Sequence, residues 1–117
     1  MGRLYQKTVS GEKAFAYFEN GQVWSDENKT EVIINYNNSG QIYRRSPGNG
    51  DYGIASCDSG GNIRKNNGIQ NYVIAKCEDG VIFEGNTVAG RILAYFDGDM
   101  YGAAAAVVAT VLGRNIT

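Results

Sequence analysis

The stretch that decides the fold is Phe15-Ala16-Tyr17-Phe18-Glu19-Asn20-Gly21-Gln22-Val23-Trp24. It places an Asn-Gly turn between two short apolar segments, which is the pattern of a β-hairpin. The signature recurs as a turn glycine that is followed two places later by an apolar residue. Its five copies are Asn20-Gly21, Ser39-Gly40, Gly60-Gly61, Asp79-Gly80 and Asp97-Gly98. A turn in every unit of about 20 residues indicates a repeat protein.

Apolar residues form two columns when positions are counted from each turn glycine. Six places before it stand Phe15, Ile34, Ala55, Ile74 and Ile92, and two places after it stand Val23, Ile42, Ile63, Ile82 and Met100. Both columns share one face if a three-residue loop with a left-handed glycine joins the strands, because residue +2 then pairs with residue −4. A two-residue turn would pair +2 with −3. We therefore expect the three-residue loop, a positive φ at each turn glycine, and burial of both columns.

The opposite face of the hairpins carries large, mostly aromatic side chains three places after the turn. They are Trp24, Tyr43, Arg64, Phe83 and Tyr101. Two interpretations stay open, namely packing between neighbouring hairpins or an exposed surface that binds a ligand. In the second case the candidate ligand-binding residues are Trp24, Tyr43, Arg44, Arg64 and Phe83.

The C-terminal segment leaves the repeat pattern and is rich in alanine, the best helix former. We expect a helix from about 99 to 112, with Asp99 as its N-cap and Gly113 at its end. The fifth unit then loses its second strand, and the segment Leu4–Val9 is a candidate extra strand that pairs with the first or last unit. Because most of the helix surface is apolar, we expect it to be buried within or across subunits, and we predict self-association through this helix.

Composition limits the partners and the chemistry. The 117 residues predict one domain, 1–117, and a net charge of −1 provides no field that attracts nucleic acid or an anionic membrane. We expect neither nucleic acid nor a membrane as a partner. We expect a cytoplasmic location. The chain has no histidine, which excludes Ser-His-Asp and Cys-His nucleophile pairs and histidine metal ligands. We therefore expect no catalytic residues, no metal site and no cofactor.

Cysteines and charges each leave two interpretations. Cys57 and Cys77 precede successive turns and are either small buried side chains or a disulfide or redox pair. Basic residues follow the turns of units two and three, and acidic residues lie in units four and five. The basic set is Arg44, Arg45, Arg64 and Lys65, and the acidic set is Glu78, Asp79, Glu84, Asp97 and Asp99. The charges are scattered over the surface, or they orient one subunit against another, or the basic set forms a small patch for an anionic partner.

The repeat resembles the small bacterial family of 4-fold β-flower proteins. The residues that carry the resemblance are the five turn pairs and the dipeptides Val23-Trp24, Ile42-Tyr43, Ile82-Phe83 and Met100-Tyr101, over residues 14–112. The resemblance implies pseudo-symmetric hairpin petals around a common axis, with no established activity and no functional residues to transfer. This chain departs from it at Arg64 and Lys76, and in having five turns instead of four.

The sequence thus predicts a mainly β protein of about five short hairpins in a closed or strongly curved pseudo-symmetric array, with a C-terminal Ala-rich α-helix. We expect a non-catalytic binding or assembly module of unknown ligand, with a small ligand or a protein as its partner. We also expect a homo-oligomer. The alternative is a carboxylate-based hydrolase that acts on a sugar, for which Asp51, Asp58, Glu78 and Asp79 are the candidate carboxylates.

Overall fold

The computed structural model describes residues 1–46, 50–65 and 73–112. Within them the chain forms ten antiparallel strands that close into a barrel, followed by one helix. The strands are β1 (Gly2–Thr8), β2 (Gly11–Glu19), β3 (Gln22–Trp24), β4 (Val32–Tyr36), β5 (Gln41–Ser46), β6 (Gly50–Cys57), β7 (Asn62–Lys65), β8 (Val73–Glu78), β9 (Val81–Glu84) and β10 (Ile92–Asp97), and the helix is α1 (Met100–Ala109). The predicted closed array of hairpins with a C-terminal helix is therefore confirmed.

The two ends of the chain close the barrel. Each strand pairs with its neighbours in the sequence, and β1 pairs with both β2 and β10. Leu4, for example, lies opposite Ala16 of β2 on one side and Phe96 of β10 on the other. The prediction of an extra strand from the N-terminal segment is confirmed, and this strand replaces the one that the fifth unit lacks. Closure leaves no unpaired strand edge among the described residues, which removes the usual template for edge-to-edge aggregation.

The five turns all lie at one end of the barrel, which we call the turn end. The φ angles of their glycines lie between 78° and 101°, as predicted. Each of the first four turn glycines accepts a hydrogen bond from the backbone of the next unit. These bonds are Tyr36 N to Gly21 O (3.0 Å), Cys57 N to Gly40 O (2.7 Å), Cys77 N to Gly61 O (2.8 Å) and Phe96 N to Gly80 O (2.9 Å). The turns are thus fastened to one another around the barrel.

The predicted turn type is confirmed in two hairpins and is wrong in the other two. Residue +2 pairs with −4 in hairpins two and three, where Ile42 lies opposite Tyr36 and Ile63 opposite Cys57. In hairpins one and four it pairs with −3 instead, as in the pair Phe18–Val23. The residue before the turn glycine determines which of the two turn types forms.

Asn20 and Asp79 precede the glycine in the two hairpins with the shorter turn. Both have a left-handed backbone, with φ of 52° and 51°, and two successive left-handed residues form a type I′ turn. In the longer turns the Asx residue comes earlier, at Asn37 and Asp58. Its side-chain oxygen there accepts hydrogen bonds from the N–H groups two and four residues later, which supports the three-residue loop.

The shorter turn changes which residues of a hairpin face the core, and this affects one of the two predicted apolar columns. A register shift of one residue turns every side chain of a strand to the other face. Ala16 and Phe18 therefore face the core in hairpin one, whereas Phe15 is only half-buried. Ile74 in unit four is likewise half-buried. Ile92 in unit five is 45 % exposed for a different reason, because the pairing of β10 with β9 shifts register between Ile92 and Ala94. The expected burial of this column is therefore wrong at these three positions. Ile34 and Ala55 of the same column are buried, as are Val23, Ile42, Ile63 and Ile82 of the other, while Met100 is half-buried.

The helix lies within the ring of strands. It starts after Asp99, whose side chain accepts a hydrogen bond from Tyr101 N as predicted. It ends at Ala109, with Thr110 as the C-cap, so the predicted extent to about residue 112 is too long, and residues 110–112 form a turn and a bend. The predicted cap Gly113 lies outside the described residues. Residues 102–108 are all buried, and the helix contacts strands β1, β2, β3, β4, β6 and β10. Small alanine side chains suit this narrow interior. In the described part of the chain no helix has the length and apolar character that crossing a membrane requires.

Candidate functional site

A concave site, which we call the turn-end cup, opens where the first two turns meet the start of the helix. Its volume is about 740 Å³, within the range of small-molecule sites. The residues that line it come from the first strand, the first two hairpins and the entry to the helix. They are Met1, Gly2, Phe18, Glu19, Asn20, Gly21, Tyr36, Asn37, Asn38, Gly98 and Asp99.

The base of the cup is closely packed. The Phe18 side chain is 1 % exposed and fills the space that a side chain at Gly2 would need. Gly98 and Gly2 lie so close that a Cβ at Gly98 would be 2.7 Å from the Gly2 Cα. Glycine at these positions lets the last turn meet the first strand, and the cup therefore rests on a fixed base.

Two carboxylates face the cup, and each already has a structural partner. Glu19 accepts a hydrogen bond from Lys29 Nζ at 2.6 Å, and this bond lowers the pKa of the Glu19 carboxyl below its ordinary value. The Met1 amino group lies 3.7 Å from Glu19 Oε1. Asp99 caps the helix by accepting from Tyr101 N at 3.3 Å. None of the described residues that line the cup has a basic side chain. The cup therefore presents the carboxylate oxygens of Glu19 and Asp99. Lys29 and the Met1 amino group partly neutralise the charge of Glu19.

Tyr36 contributes a hydroxyl group to the cup although its side chain is only 5 % exposed. Burial raises the pKa of this hydroxyl, a hydrogen bond with the Gly21 backbone lowers it, and the charges of Asp99 and Glu19 raise it further. The net shift is upward, so the group stays protonated at neutral pH. Among the described side chains none accepts its proton, which leaves the O–H available as a donor.

Three asparagines lie at the rim of the cup, and they differ in whether their side chains are already hydrogen-bonded. Asn37 uses its amide within its own turn, where its oxygen accepts from Ser39 N and Gln41 N and its nitrogen donates to Gln41. Asn20 and Asn38 are exposed and make no side-chain hydrogen bond to another described residue. Their amides can both donate to and accept from a bound molecule.

The five residues predicted to bind a ligand do not line this cup. They lie on four different strands, with Trp24 on β3, Tyr43 and Arg44 on β5, Arg64 on β7 and Phe83 on β9. Another strand separates each of these strands from the next. Arg44 lines a smaller outer groove of about 320 Å³ with Gln22 and residues 32–35. The structure therefore distributes these residues around the barrel and does not gather them in one pocket.

Contacts within the fold involve two of these five residues. The Trp24 side chain is 5 % exposed, and the Lys29 ammonium lies 5.0 Å from its ring centroid. Arg64 makes an ion pair with Asp58 at 2.8 Å. Phe83 and Tyr43 are half-buried. A ligand-binding role for the five residues remains a prediction.

Asp58 is poorly suited to one of the two roles that a sugar hydrolase requires. Arg64 donates a hydrogen bond to it, as do the N–H groups of Gly60 and Asn62, and these bonds hold the pKa of Asp58 well below its usual range. A general acid needs the opposite shift, since it must carry a proton near neutral pH. The Asp51 side chain lies outside what the structure describes. The described residues contain no group of three His, Cys, Asp or Glu side chains that could hold a metal.

The two cysteines are buried, free thiols in neighbouring hairpins. A hydrogen bond with Cys57, together with burial, raises the pKa of the Cys77 thiol. A protonated thiol is a weak nucleophile, so this environment favours the interpretation of two small core side chains.

Comparisons with known proteins give no relative for this chain. No protein-family model matches it, and no curated protein and no solved structure is significantly similar to it. The resemblance to the β-flower family therefore remains a prediction from the sequence.

One signal for the cup in the sequence is the Asx residues of the turns, which occur in all five units. Those of units one, two and five that line the cup are Asn20, Asn37-Asn38 and Asp99. Hairpins in a closed up-and-down array place all these turns at the same end. The signal becomes useful once closure is known, because closure brings the first and fifth turns together.

Proposed function

We propose that this protein is a non-catalytic binding module whose ligand site is the turn-end cup. The observation that supports this most directly is the cup itself, whose volume of about 740 Å³ is bordered by a buried tyrosine hydroxyl and uncommitted amides. Concave sites with a few convergent polar groups are the usual locations of small-molecule binding. The outer groove beside Arg44 is less than half as large and offers fewer such groups.

The rigidity of the turn end supports the same function. Backbone hydrogen bonds fasten the Gly21 turn to Tyr36 and the Gly40 turn to Cys57. The Asp99 cap fixes the start of the helix at the edge of the cup. Groups that are already held in place lose little conformational freedom when a ligand binds, and this improves affinity.

A thermal-shift screen against small molecules tests the proposal, because a ligand that binds the native state raises the melting temperature. The screen is run on the wild type and on Asn38→Trp, which places a large side chain at the rim. Asn86→Trp is the matched control, because Asn86 is an exposed asparagine in the link between β9 and β10 at the other end of the barrel. We expect hits that Asn38→Trp abolishes and Asn86→Trp keeps. Hits that both variants keep would locate binding elsewhere.

Self-association through the helix remains a prediction. The chain's own strands cover residues 102–108, so the apolar face that suggested a helix interface is occupied within one chain. Met100, Tyr101 and Ala109 are the residues of the described helix that stay partly exposed. Light scattering at tens of micromolar decides between a monomer and an oligomer, and a Tyr101→Ser variant tests whether the helix start contributes.

A further inference from the structure

We propose that the turn-end cup binds a small neutral saccharide. This inference rests on the proposed binding function and adds the chemical class of the ligand. It follows from the hydrogen-bonding groups of the cup, from its charge, and from the way its polar groups are already paired.

The cup offers donors and acceptors side by side. The Tyr36 hydroxyl donates, the amides of Asn20 and Asn38 do both, and the carboxylates of Glu19 and Asp99 accept. A sugar hydroxyl is itself both a donor and an acceptor. Neighbouring hydroxyls on one ring can therefore bridge an amide and a carboxylate without leaving either group unpaired. A polar group that a ligand covers without giving it a partner costs free energy.

The charge of the cup argues against ionic ligands of either sign. The one cationic group of the described lining residues is the Met1 amino group, which lies 3.7 Å from Glu19, so the two carboxylates leave no unpaired cation in the cup for phosphates and other anions. Glu19 is already paired with Lys29 at 2.6 Å, so an added cation would compete with an existing ion pair. An ammonium group has donors and no acceptor, and it would leave the Tyr36 hydroxyl proton unpaired. A neutral polyhydroxyl ligand meets neither obstacle.

Amide chemical-shift titration of the intact chain provides the test. The neutral probes are glucose, galactose, N-acetylglucosamine, maltose and cellobiose, the anionic probe is glucuronate, and the cationic probe is methylammonium, which has donors and no acceptor. We expect at least one neutral saccharide to shift the amides of Gly21, Asn38 and Gly98 in a saturable way, with a dissociation constant of about a millimolar or below. Glucuronate and methylammonium should bind more weakly.

Tyr36→Phe removes the hydroxyl while keeping the ring, and one hydrogen bond corresponds to a loss of affinity of roughly two- to tenfold. Tyr17→Phe is the matched control, because Tyr17 lies in the neighbouring hairpin, on the face opposite to the buried Phe18, and does not line the cup. Spectra of both variants show directly whether they are folded. Equal affinities of Tyr36→Phe and wild type for the saccharide would overturn the role assigned to the hydroxyl and the inference with it.

The remaining outcomes separate the two proposals. If methylammonium, glucuronate or a screening hit shifts the cup amides while every neutral saccharide fails, the saccharide inference is wrong and the binding function stands. If no probe and no screening hit shifts them, both proposals are wrong.

Discussion

The Phe18 ring lies directly against Gly102, so that a Cβ at position 102 would overlap the ring. This contact joins the first hairpin to the first turn of the helix inside the barrel. The same ring covers Gly2, which connects the contact to the strand that closes the barrel. Phe18 therefore links three parts of the fold, namely the first hairpin, the closing strand and the helix, and it also forms the base of the turn-end cup.

Gly102→Ala should destabilise the protein even though alanine is the better helix residue. Alanine gains about 1 kcal/mol in helix propensity, whereas overpacking a core costs about 1–3 kcal/mol. We expect a net loss because the ring behind Gly102 is held against Gly2. Urea titration measures the change in the free energy of unfolding. Adding Phe18→Leu to Gly102→Ala should recover part of the loss, and a Gly102→Ala variant as stable as the wild type would contradict this packing.

Two turn glycines with nearly equal φ should differ in their tolerance of alanine. The φ angles of Gly40 and Gly80 are 82° and 78°, so the backbone strain of a substitution is similar, at about 1–2 kcal/mol. A Cβ at Gly40 would also overlap the Cys57 carbonyl, whereas at Gly80 the Phe96 oxygen is 3.3 Å away. Gly40→Ala should therefore lower the free energy of unfolding more than Gly80→Ala. Equal losses would show that the turns are not packed on the next unit as described.

Ile42 and Ile92 test the corrected core. Both belong to the apolar columns of the repeat, but Ile42 is fully buried and Ile92 is 45 % exposed. Ile42→Ala should cost about 2–5 kcal/mol, as truncation of a buried isoleucine does. Ile92→Ala should cost much less, because it removes little buried surface. Denaturant titration of the two variants measures this difference, and similar costs would place Ile92 in the core after all.

Asp58 should make stability depend on pH in the acid range. Its folded pKa is lowered, chiefly by Arg64, below an ordinary value of 3.8. A carboxyl with a lowered folded pKa stabilises the protein at pH above its unfolded pKa, and this contribution is lost as the pH falls further. Asp58→Asn should therefore be less stable than the wild type at neutral pH, and the gap should narrow below about pH 3.8. A gap that stays constant from pH 7 to pH 2.5 would refute this assignment.

The repeat pattern was sufficient for the hairpins, the glycine φ angles and the closing strand, because each depends on local turn chemistry and alternation. It failed where two turn types share one signature. Asn20-Gly21 and Ser39-Gly40 look alike when only the glycine is counted, yet the Asx residue in the left-handed position selects the shorter turn. The cup was not predicted because it combines Asn20, Asn38 and Asp99 from three different units. Their proximity follows from closure, which no single unit encodes.

An amide chemical-shift map of the assigned protein against the hits of the small-molecule screen tests the turn-end cup most directly. We expect the shifts to concentrate at residues 19–21, 36–38 and 98–99, and the link between β9 and β10 to stay unchanged. Shifts concentrated instead at residues 32–35 and Arg44 in the outer groove, or no saturable shifts with any hit, would contradict the claim that the turn end is the binding site.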